Sequence, residues 1–304
     1  MFQNYILLEE FLKSNGYSYL KDNDLKNYNT FKIGGKADYI VSPDTDEKAV
    51  ALLKFCDSNS FPCCFHGNGS NVLFDDDGYR GVIITTKQLN CIDVNGDNII
   101  CGSGTKLSSL CNAALQNSLT GIECLYGIPG TIGGAIITNA GAYGGEICDN
   151  IVNIKYINND YNVAVMPKSE ADFCYRHSAF ADNGLFILGA EFKLRVGDKK
   201  TIENKMCELM CKRKDKQPLE YPSAGSIFKR PIGGYAAELI ERCGLKGKAV
   251  GGAMVSTKHS GFIINTGNAK CSDVLELIEI IKDKVLFIPG GKGSTVGSYV
   301  IFQM

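Results

Sequence analysis

The stretch from Gly127 to Glu146 has the residue types that most strongly suggest chemistry, because seven of its twenty residues are glycine. Glycine destabilises the interior of helices and strands, so this stretch is predicted to lack regular structure. Its glycines alternate with apolar side chains, namely Ile128, Ile132, Ile136 and Ile137. A packed backbone that is dense in glycine can bring its amides close to a ligand, typically a phosphate. The alternative is a set of tight turns between core strands.

A second segment, Gly67-Asn68-Gly69-Ser70-Asn71, has similar properties. It offers consecutive backbone N–H groups with hydroxyl and amide side chains, a combination that suits a pyrophosphate. It lacks the Gly-Lys-Ser/Thr ending of a Walker A loop and the G-x-G-x-x-G pattern of a dinucleotide-binding fold. Those two nucleotide loops are therefore excluded, and a plain turn is the alternative to a phosphate site.

The segment from Tyr221 to Pro231 combines two serines with paired cations. Prolines bracket it, so it is predicted not to be helical. Ser226 is a candidate nucleophile or proton donor, while Lys229 and Arg230 could bind an anionic substrate. The alternative is a polar surface loop with solvated cations.

Arg176 lies between the rings of Tyr175 and His177 and could be a buried clamp for a carboxylate. An ordinary surface arginine is the favoured interpretation of these residues alone, because most arginines are exposed. His177 and His259 are too isolated in the sequence to suggest a metal site, and His66 has no visible companion ligand there, so no metal site is predicted.

Composition narrows the class of protein. A chain of 304 residues with 44% hydrophobic and 21% charged residues predicts a globular protein of about two domains. The net charge of −1 argues against a nucleic-acid partner, and no apolar run approaches the length of a membrane helix. The thirteen cysteines include no C-x-x-C pair, and the N-terminus lacks a secretory pattern, so reduced thiols and a cytoplasmic location are predicted.

Helices and strands are predicted to mix without a regular βαβ rhythm, which indicates an α+β fold. Apolar spacing predicts helices near residues 5–12, 44–55, 107–115, 202–214, 236–243 and 274–281. Hairpins are predicted around Asn95-Gly96 and around 158–160, and further strands at 82–84, 186–196 and 261–264. The charged turn Asp198-Lys199-Lys200 is the predicted domain boundary.

Seven segments together resemble the motifs of UDP-N-acetylenolpyruvoylglucosamine reductases, the flavoprotein reductases of peptidoglycan precursor synthesis, and they follow one another in that family's order. They are 29–38, 67–71, 127–135, 139–146, 175–178, 222–229 and 258–265. The resemblance runs from Asn29 to about Ile281. The chain length resembles the short form of the family, which lacks an inserted tyrosine loop.

The resemblance implies an FAD-binding domain of the vanillyl-alcohol-oxidase-like (PCMH) type, followed by a smaller α+β substrate domain. With the predicted boundary, this gives a helical segment at 1–28, an FAD-binding domain at 29–197 and a substrate-binding domain at 198–304. It implies non-covalent FAD, NADPH as hydride donor and a UDP-sugar substrate, and a monomer is expected. The residues that the family's motifs assign to FAD are Gly67, Asn68, Gly69, Ser70, Asn71, Gly127, Pro129, Gly130, Thr131, Gly133, Gly134, Asn139 and Gly141.

The resemblance also implies a reaction in which hydride passes from NADPH to the flavin and then to C3 of an enolpyruvyl ether. Negative charge then develops at C2 and spreads into the carboxylate, and Arg176 matches the family's stabilising arginine. Ser226 matches its proton donor to C2. Lys229, Arg230, Gln217 and Tyr175 are the implied substrate-binding residues.

The C-terminus departs from the family, which carries a catalytic glutamate there. No carboxylate follows Asp283, and Ser298 or Tyr299 falls roughly where the glutamate is expected. Either another group takes its role, with Glu220 and Glu238 as conceivable replacements, or turnover is impaired, or the protein has diverged. Two alternatives to the reductase therefore stay open: an FAD oxidoreductase of the same fold with another substrate, and a flavin-binding protein without catalysis.

Overall fold

The computed structural model describes residues 5–231, 234–286 and 301–303, the last three as backbone only. Within these ranges the α-helices are α1 (Tyr5–Ser14), α2 (Asp46–Ser58), α3 (Leu107–Gln116), α4 (Ile132–Ile137), α5 (Ala179–Asn183), α6 (Lys199–Lys216), α7 (Ala236–Arg242) and α8 (Cys271–Leu286). Short 3₁₀ helices span Leu25–Tyr28, Glu123–Leu125, Ile147–Asp149 and Lys168–Glu170.

The strands of the described residues are numbered in chain order. They are β1 (Ser18–Asp24), β2 (Lys36–Ser42), β3 (Cys63–His66), β4 (Val72–Phe74), β5 (Tyr79–Thr85), β6 (Ile92–Asn95), β7 (Asn98–Gly102), β8 (Leu119–Thr120), β9 (Gly141–Ala142), β10 (Gly145–Glu146), β11 (Ile151–Ile157), β12 (Val163–Pro167), β13 (Phe186–Lys193), β14 (Arg195–Val196), β15 (Ser223–Ser226), β16 (Ala249–Val250), β17 (Ala253–Val255), β18 (Phe262–Asn265) and β19 (Ile301–Gln303). Every predicted helix is present with ends shifted by a few residues, and both predicted hairpins form.

The chain divides into two compact units that are interleaved in sequence. The first comprises Met1–Lys21, Tyr39–Asn68 and Gly81–Lys212, and the second comprises Asp22–Asp38, Gly69–Arg80 and Arg213–Met304. The contiguous ranges predicted from the sequence therefore differ from the observed units. The charged turn at the predicted boundary is instead the start of α6, where the carboxylate of Asp198 accepts a hydrogen bond from the N–H of Thr201 at 2.8 Å.

The first unit contains an antiparallel sheet of strand order β12-β11-β13-β7-β6. Ile154 of β11 faces Ala190 of β13, which faces Cys101 of β7. Gly96, with a φ of +62°, closes the predicted β6–β7 hairpin in a conformation that glycine adopts easily. Helix α3 buries its apolar face in the core beside this sheet, with Leu110 fully buried.

A second sheet, of order β1-β2-β5-β3, has a core to which α1 and α2 contribute. Its strands β3 and β5 are parallel, and His66 faces Thr85 where both strands end. Parallel strands end at the same edge of a sheet. The segments that follow them, Gly67–Asn68 and Thr86, therefore begin at one edge.

The second unit contains the antiparallel sheet β15-β18-β17-β16. Helices α7 and α8 contribute to its core through fully buried side chains that include Ile240, Val274 and Leu277. The short strand β4 also belongs to this unit and pairs in parallel with β19. Helix α8 extends beyond the predicted range 274–281 at both ends.

Helix α4 corrects the prediction that the stretch from Gly127 to Glu146 lacks regular structure. Ile132 and Ile136 are fully buried, and burying an isoleucine contributes about 1.5–3 kcal/mol, against roughly 1 kcal/mol lost for each helical glycine. Gly133 also allows close packing, because a Cβ there would lie 3.1 Å from the Cβ of Ser103. Tertiary burial thus outweighs the low helix propensity.

Candidate active site

The structure brings together the two glycine-rich segments that were predicted to bind one ligand. The side-chain amide of Asn68 donates a hydrogen bond to the carbonyl of Pro129 at 2.6 Å. A Cβ on Gly67 would lie only 2.4 Å from Oγ1 of Thr131, so the backbone passes this hydroxyl at a distance that only glycine allows. We call this pair of segments, 67–68 and 127–134, the glycine cradle.

Three hydroxyl groups in or close to the glycine cradle are buried without a hydrogen-bond partner among the described residues. They belong to Thr86, Ser103 and Thr131. Ser103 packs on Gly133 of the cradle, and Thr86 follows the strand end that faces His66. Buried hydroxyls are rarely unsatisfied in folded proteins. Their number at one place indicates a site for a ligand that accepts or donates hydrogen bonds.

The residues predicted to contact FAD differ in the unit to which they belong, in their packing and in their exposure. Gly67 and Asn68 belong to the first unit, whereas Gly69, Ser70 and Asn71 belong to the second. The N–H of Gly133 already donates to the carbonyl of Ser103 at 2.8 Å, so this glycine serves close packing. Gly134 is exposed, and a Cβ on it would meet only Oγ1 of Thr131, at 3.7 Å.

We therefore expect Gly134→Ala to stabilise the apoprotein and to weaken FAD binding. Alanine in a helix is favoured over glycine by about 0.5–1 kcal/mol, and the protein itself leaves room for the methyl group. A ligand that approaches this backbone closely would leave no room for the methyl group, so its binding would be weakened. The thermal midpoint of the apoprotein and a fluorescence titration with FAD measure the two effects. An unchanged FAD affinity would show that no ligand contacts Gly134.

Arg176 lies on a tight turn in the first unit, closed by an antiparallel bridge between Cys174 and His177. Its φ of +59° is unusual for a residue other than glycine. The half-buried guanidinium donates hydrogen bonds to the carbonyls of Asn139, at 3.3 Å, and Gly141, at 2.7 Å. Two backbone carbonyls therefore hold this arginine, which is half-buried and not fully exposed as an ordinary surface arginine would be.

Asn139 is the anchor of the Arg176 turn. Its side chain is fully buried and donates to the carboxylate of Glu146 at 2.7 Å and to the carbonyl of Cys174 at 3.1 Å. Its own φ is +41°, a conformation that asparagine tolerates better than most residues. A contact between Asn139 and FAD stays a prediction, whereas its hydrogen bonds show that it positions Arg176. Tyr175 is exposed, with its ring centroid 5.5 Å from the guanidinium carbon of Arg176.

In the second unit a β-bulge presents Ser226. Ser223 faces Ile264 and Ser226 faces Phe262, so β15 has one more residue than β18 over this interval. The extra residue is accommodated by Gly225, whose φ is +82°. Bulges redirect side chains and are common next to active sites. Here the bulge leaves Ser226 exposed at the end of a strand whose other residues are buried or half-buried.

We expect Gly225→Ala to slow any reaction that depends on Ser226 without affecting FAD retention. A Cβ at Gly225 meets nothing within 4 Å, so the effect arises from backbone strain of about 1–2 kcal/mol and the resulting shift of the bulge. Gly244→Ala is the matched control, because Gly244 has a φ of +68° and equally open surroundings. Equal effects of the two variants on turnover would contradict a positioning role for the bulge.

The predicted substrate-binding residues of the second unit are exposed or partly exposed, and they are close to β15 in the sequence. Lys229 and Arg230 are exposed, and the guanidinium carbon of Arg230 lies 4.7 Å from the ring centroid of Tyr235. Gln217 directly follows α6 and accepts a hydrogen bond from Arg213 at 3.3 Å.

Other motifs of the second unit support the Ser226 strand. The hydroxyl of Thr30 donates to the carbonyl of Ser223 at 2.7 Å, and its N–H donates to the carbonyl of Gly69 at 3.1 Å. The side-chain amide of Asn265 donates to the carbonyl of Phe31 at 3.0 Å. The segments 29–38, 69–71, 222–229 and 258–265 of this unit are thus connected by structural hydrogen bonds.

Sequence reasoning missed the buried hydroxyls of Thr86 and Ser103. The only available signal was the Gly-Ser-Gly-Thr run at 102–105, which resembles the other glycine segments. Ser298 and Tyr299, the positions considered for the missing glutamate, lie outside the described residues. Of the two conceivable replacements, Glu220 lies 3.7 Å from the ammonium group of Lys258, and Glu238 is in the first turn of α7.

The predictions of a cytoplasmic location and of no metal site stay predictions. Among the helices of the described residues, none combines the length and apolar character needed to cross a membrane. In the same residues, no group of three or more His, Cys, Asp or Glu side chains is arranged to hold a metal ion. All thirteen cysteines are free thiols.

Comparison with known proteins gives consistent matches. A family model described as an FAD binding domain matches residues 37–165, and the model of the C-terminal domain of UDP-N-acetylenolpyruvoylglucosamine reductase matches residues 217–287. The reductase of that name from Clostridium novyi is 49% identical over 267 residues, which cover 88% of this chain and 87% of the relative. The one from Clostridium botulinum strain Hall is 46% identical over 285 residues, with 94% and 93% covered.

A solved structure agrees with these matches. The crystal structure of UDP-N-acetylenolpyruvylglucosamine reductase (MurB) from Thermus caldophilus superposes with a TM-score of 0.80 at 31% identity, covering 95% of this chain and 99% of that one. The predicted α+β class and the FAD-binding fold of the PCMH type are confirmed.

Proposed function

This chain belongs to the UDP-N-acetylenolpyruvoylglucosamine reductase family, and from that premise we propose that it reduces this UDP-sugar with FAD as cofactor and NADPH as hydride donor. The product would be UDP-N-acetylmuramate, a peptidoglycan precursor. We further propose that the protein acts in the cytoplasm as a monomer.

The observation that carries the proposal is the glycine cradle with its three buried hydroxyls. FAD presents a pyrophosphate and a ring system rich in hydrogen-bonding atoms, so it can satisfy the hydroxyls of Thr86, Ser103 and Thr131. The cradle would hold it through Gly67, Asn68, Gly127, Pro129, Gly130, Thr131, Gly133 and Gly134, with Gly69, Ser70, Asn71, Asn139 and Gly141 as the other predicted contacts. When bound, FAD would supply the two-electron carrier that links NADPH oxidation to reduction of C3 of the enolpyruvyl group.

Arg176 is the proposed electrostatic catalyst. Negative charge develops on C2 and the adjoining carboxylate of the substrate, and a fixed cation stabilises it. The guanidinium has five N–H donors, and its bonds to the carbonyls of Asn139 and Gly141 orient the group before the substrate arrives. Its other donors can then bind the carboxylate. The left-handed backbone of Arg176 agrees with such a role, because strained conformations are concentrated at functional sites.

Ser226 is the proposed proton donor. When charge develops at C2, the O–H bond of the serine breaks and a C–H bond forms at that carbon. A serine hydroxyl is a weak acid, so it can protonate only a strongly basic centre that it contacts directly. Its exposed position on the bulge of β15 fits this requirement.

Lys229, Arg230, Gln217 and Tyr175 are the proposed contacts to the rest of the substrate. The exposed cations of Lys229 and Arg230 suit the diphosphate of a UDP-sugar, and the planar guanidinium can bind phosphate through two hydrogen bonds.

NADPH oxidation in the presence of UDP-N-acetylenolpyruvoylglucosamine tests the function. We expect oxidation that depends on this acceptor and a product that carries two additional hydrogen atoms by mass spectrometry. UDP-N-acetylglucosamine, which lacks the enolpyruvyl group, is the matched control. Flavin that NADPH reduces but only a different acceptor reoxidises would favour the alternative FAD oxidoreductase. Bound flavin that NADPH cannot reduce would favour a protein without catalysis.

A further inference from the structure

His259 lies beside the proposed proton donor, although it has no role in the mechanism above. Oγ of Ser226 and Cε1 of His259 are each 3.1 Å from the position that a Cβ on Gly261 would take. The two groups therefore flank one point, and a larger residue at Gly261 would require one of these side chains to shift by a few tenths of an ångström. The imidazole is partly buried and packs edge-on against Phe262, with ring centroids 4.9 Å apart.

A chain of hydrogen bonds connects the imidazole to the residue that follows Ser226. Nδ1 of His259 accepts a hydrogen bond from the N–H of Gly261 at 3.1 Å. The carbonyl of Gly261 accepts one from the N–H of Ile227 at 2.9 Å. Ser226 lies between this bond and the bulge at Gly225. The position of its hydroxyl therefore depends on where Gly261 is held.

We propose that His259 is a positioning residue for Ser226, acting through an unprotonated Nδ1 that holds Gly261, and that protonation of this ring switches off proton delivery. The proposal rests on the proposed function of Ser226. A protonated imidazole carries a hydrogen on Nδ1 and cannot accept from the N–H of Gly261. The acid form would therefore push Gly261 away and displace the strand that presents Ser226.

The surroundings of the ring keep it in the accepting form near neutral pH. Burial lowers the pKa of His259 below its ordinary value of 6.5. A hydrogen bond of the ring to the backbone of His259 itself opposes this shift, Lys246 and Lys216 add to it, and Glu241 opposes it. Lys246 and Glu241 also form an ion pair at 2.7 Å, so their effects on the ring partly cancel. The loss of activity is therefore expected on the acid side of pH 6.5.

Two substitutions of His259 distinguish a role in positioning Ser226 from a role in packing alone. His259→Asn places an amide oxygen near the position of Nδ1, where it can accept from the N–H two residues later as in an Asx turn, and it does not titrate. His259→Leu fills the space but accepts nothing. Ser256→Ala is the matched control, because Oγ of Ser256 accepts from the N–H groups of Lys258 and His259 in the same turn.

The first readout is the rate at which UDP-N-acetylenolpyruvoylglucosamine reoxidises the NADPH-reduced holoenzyme, measured against pH. We expect an acid limb with a midpoint below 6.5 in the wild type and in Ser256→Ala, and no such limb in His259→Asn. His259→Leu should be about 10- to 100-fold slower than His259→Asn at pH 7.5, as a displaced catalytic group predicts. A wild-type acid limb in His259→Asn, or equal rates of the two variants, would overturn the proposal.

The second readout does not require activity. The chain has only three histidines, so the imidazole signals of the apoprotein can be assigned by comparing the wild type with His259→Asn in a nuclear magnetic resonance titration. We expect the amide signals of Gly261 and Ile227 to shift with pH, with the same midpoint as the imidazole of His259. Amides that do not respond would overturn the coupling. If the amides respond but the wild type is not reoxidised by the UDP-sugar, the proposed function fails and the coupling stands.

Discussion

Replacing Ser226 with alanine is expected to leave reduction of the flavin by NADPH intact and to slow its reoxidation by the enolpyruvyl UDP-sugar by about 10²- to 10⁴-fold. General acid catalysis contributes a factor of this size, and the change removes only the hydroxyl that carries the proton. Because Ser226 is exposed at the end of β15, the loss of its hydroxyl leaves no buried group unsatisfied. Stopped-flow absorbance of the two half-reactions measures both rates.

Ser223→Ala is the control for the Ser226 variant. It removes the other serine hydroxyl of the same strand, and it keeps the Ser223 carbonyl that accepts a hydrogen bond from Thr30. This control should retain both half-reactions. If Ser226→Ala loses flavin reduction as well as reoxidation, the serine has a structural role and another group donates the proton.

Replacing Arg176 with lysine is expected to lower kcat for the UDP-sugar by about 10²- to 10³-fold, the range seen when one preorganised donor is removed from a developing negative charge. A lysine ammonium is a point charge and cannot reproduce the two bonds from separate nitrogens to Asn139 and Gly141 while also binding a carboxylate. Steady-state kinetics with NADPH saturating gives kcat and KM separately. The effect should fall mainly on kcat, because the charge develops in the transition state.

Arg195→Lys is the matched control for Arg176, since Arg195 is an exposed arginine on the short strand β14. It should change kcat little. A variant Arg176→Lys that raises only KM would show that Arg176 binds the substrate carboxylate in the ground state without stabilising the transition state.

Much of the fold follows from local sequence patterns. The helix at 107–116 has its apolar residues on one face, and the hairpin at Asn95-Gly96 has the turn residues that its conformation requires. Helix α4 is the exception, because its stability comes from burial of Ile132 and Ile136 against residues far away in sequence. A local glycine count cannot contain that information.

The interleaving of the two units could not be predicted for the same reason. Residues 22–38 and 69–80 pack with the C-terminal part of the chain, and this depends on contacts such as the bond from Thr30 to Ser223. Motif residues such as Asn29 and Asn265 are buried and bond to backbone carbonyls of Leu25 and Phe31. Residue type alone did not distinguish these structural asparagines from ligand-binding ones.

The candidate site was predictable by residue type but not by conformation. Ser226 and Arg176 were identified as candidates from the sequence and the resemblance, yet the bulge at Gly225 and the left-handed turn at Arg176 are properties of the folded backbone. Apart from its place in the segment 258–265, His259 is only an isolated histidine in the sequence. Its hydrogen bond to Gly261 joins residues two apart, a local pattern that becomes meaningful only when β18 is placed beside β15.

The most direct test of the reductase function is optical and anaerobic. The purified flavoprotein is reduced with NADPH, UDP-N-acetylenolpyruvoylglucosamine is added, and the flavin absorbance is followed. The proposed function predicts a rapid return of the oxidised flavin spectrum in the wild type. A flavin that stays reduced in the presence of this UDP-sugar would contradict it.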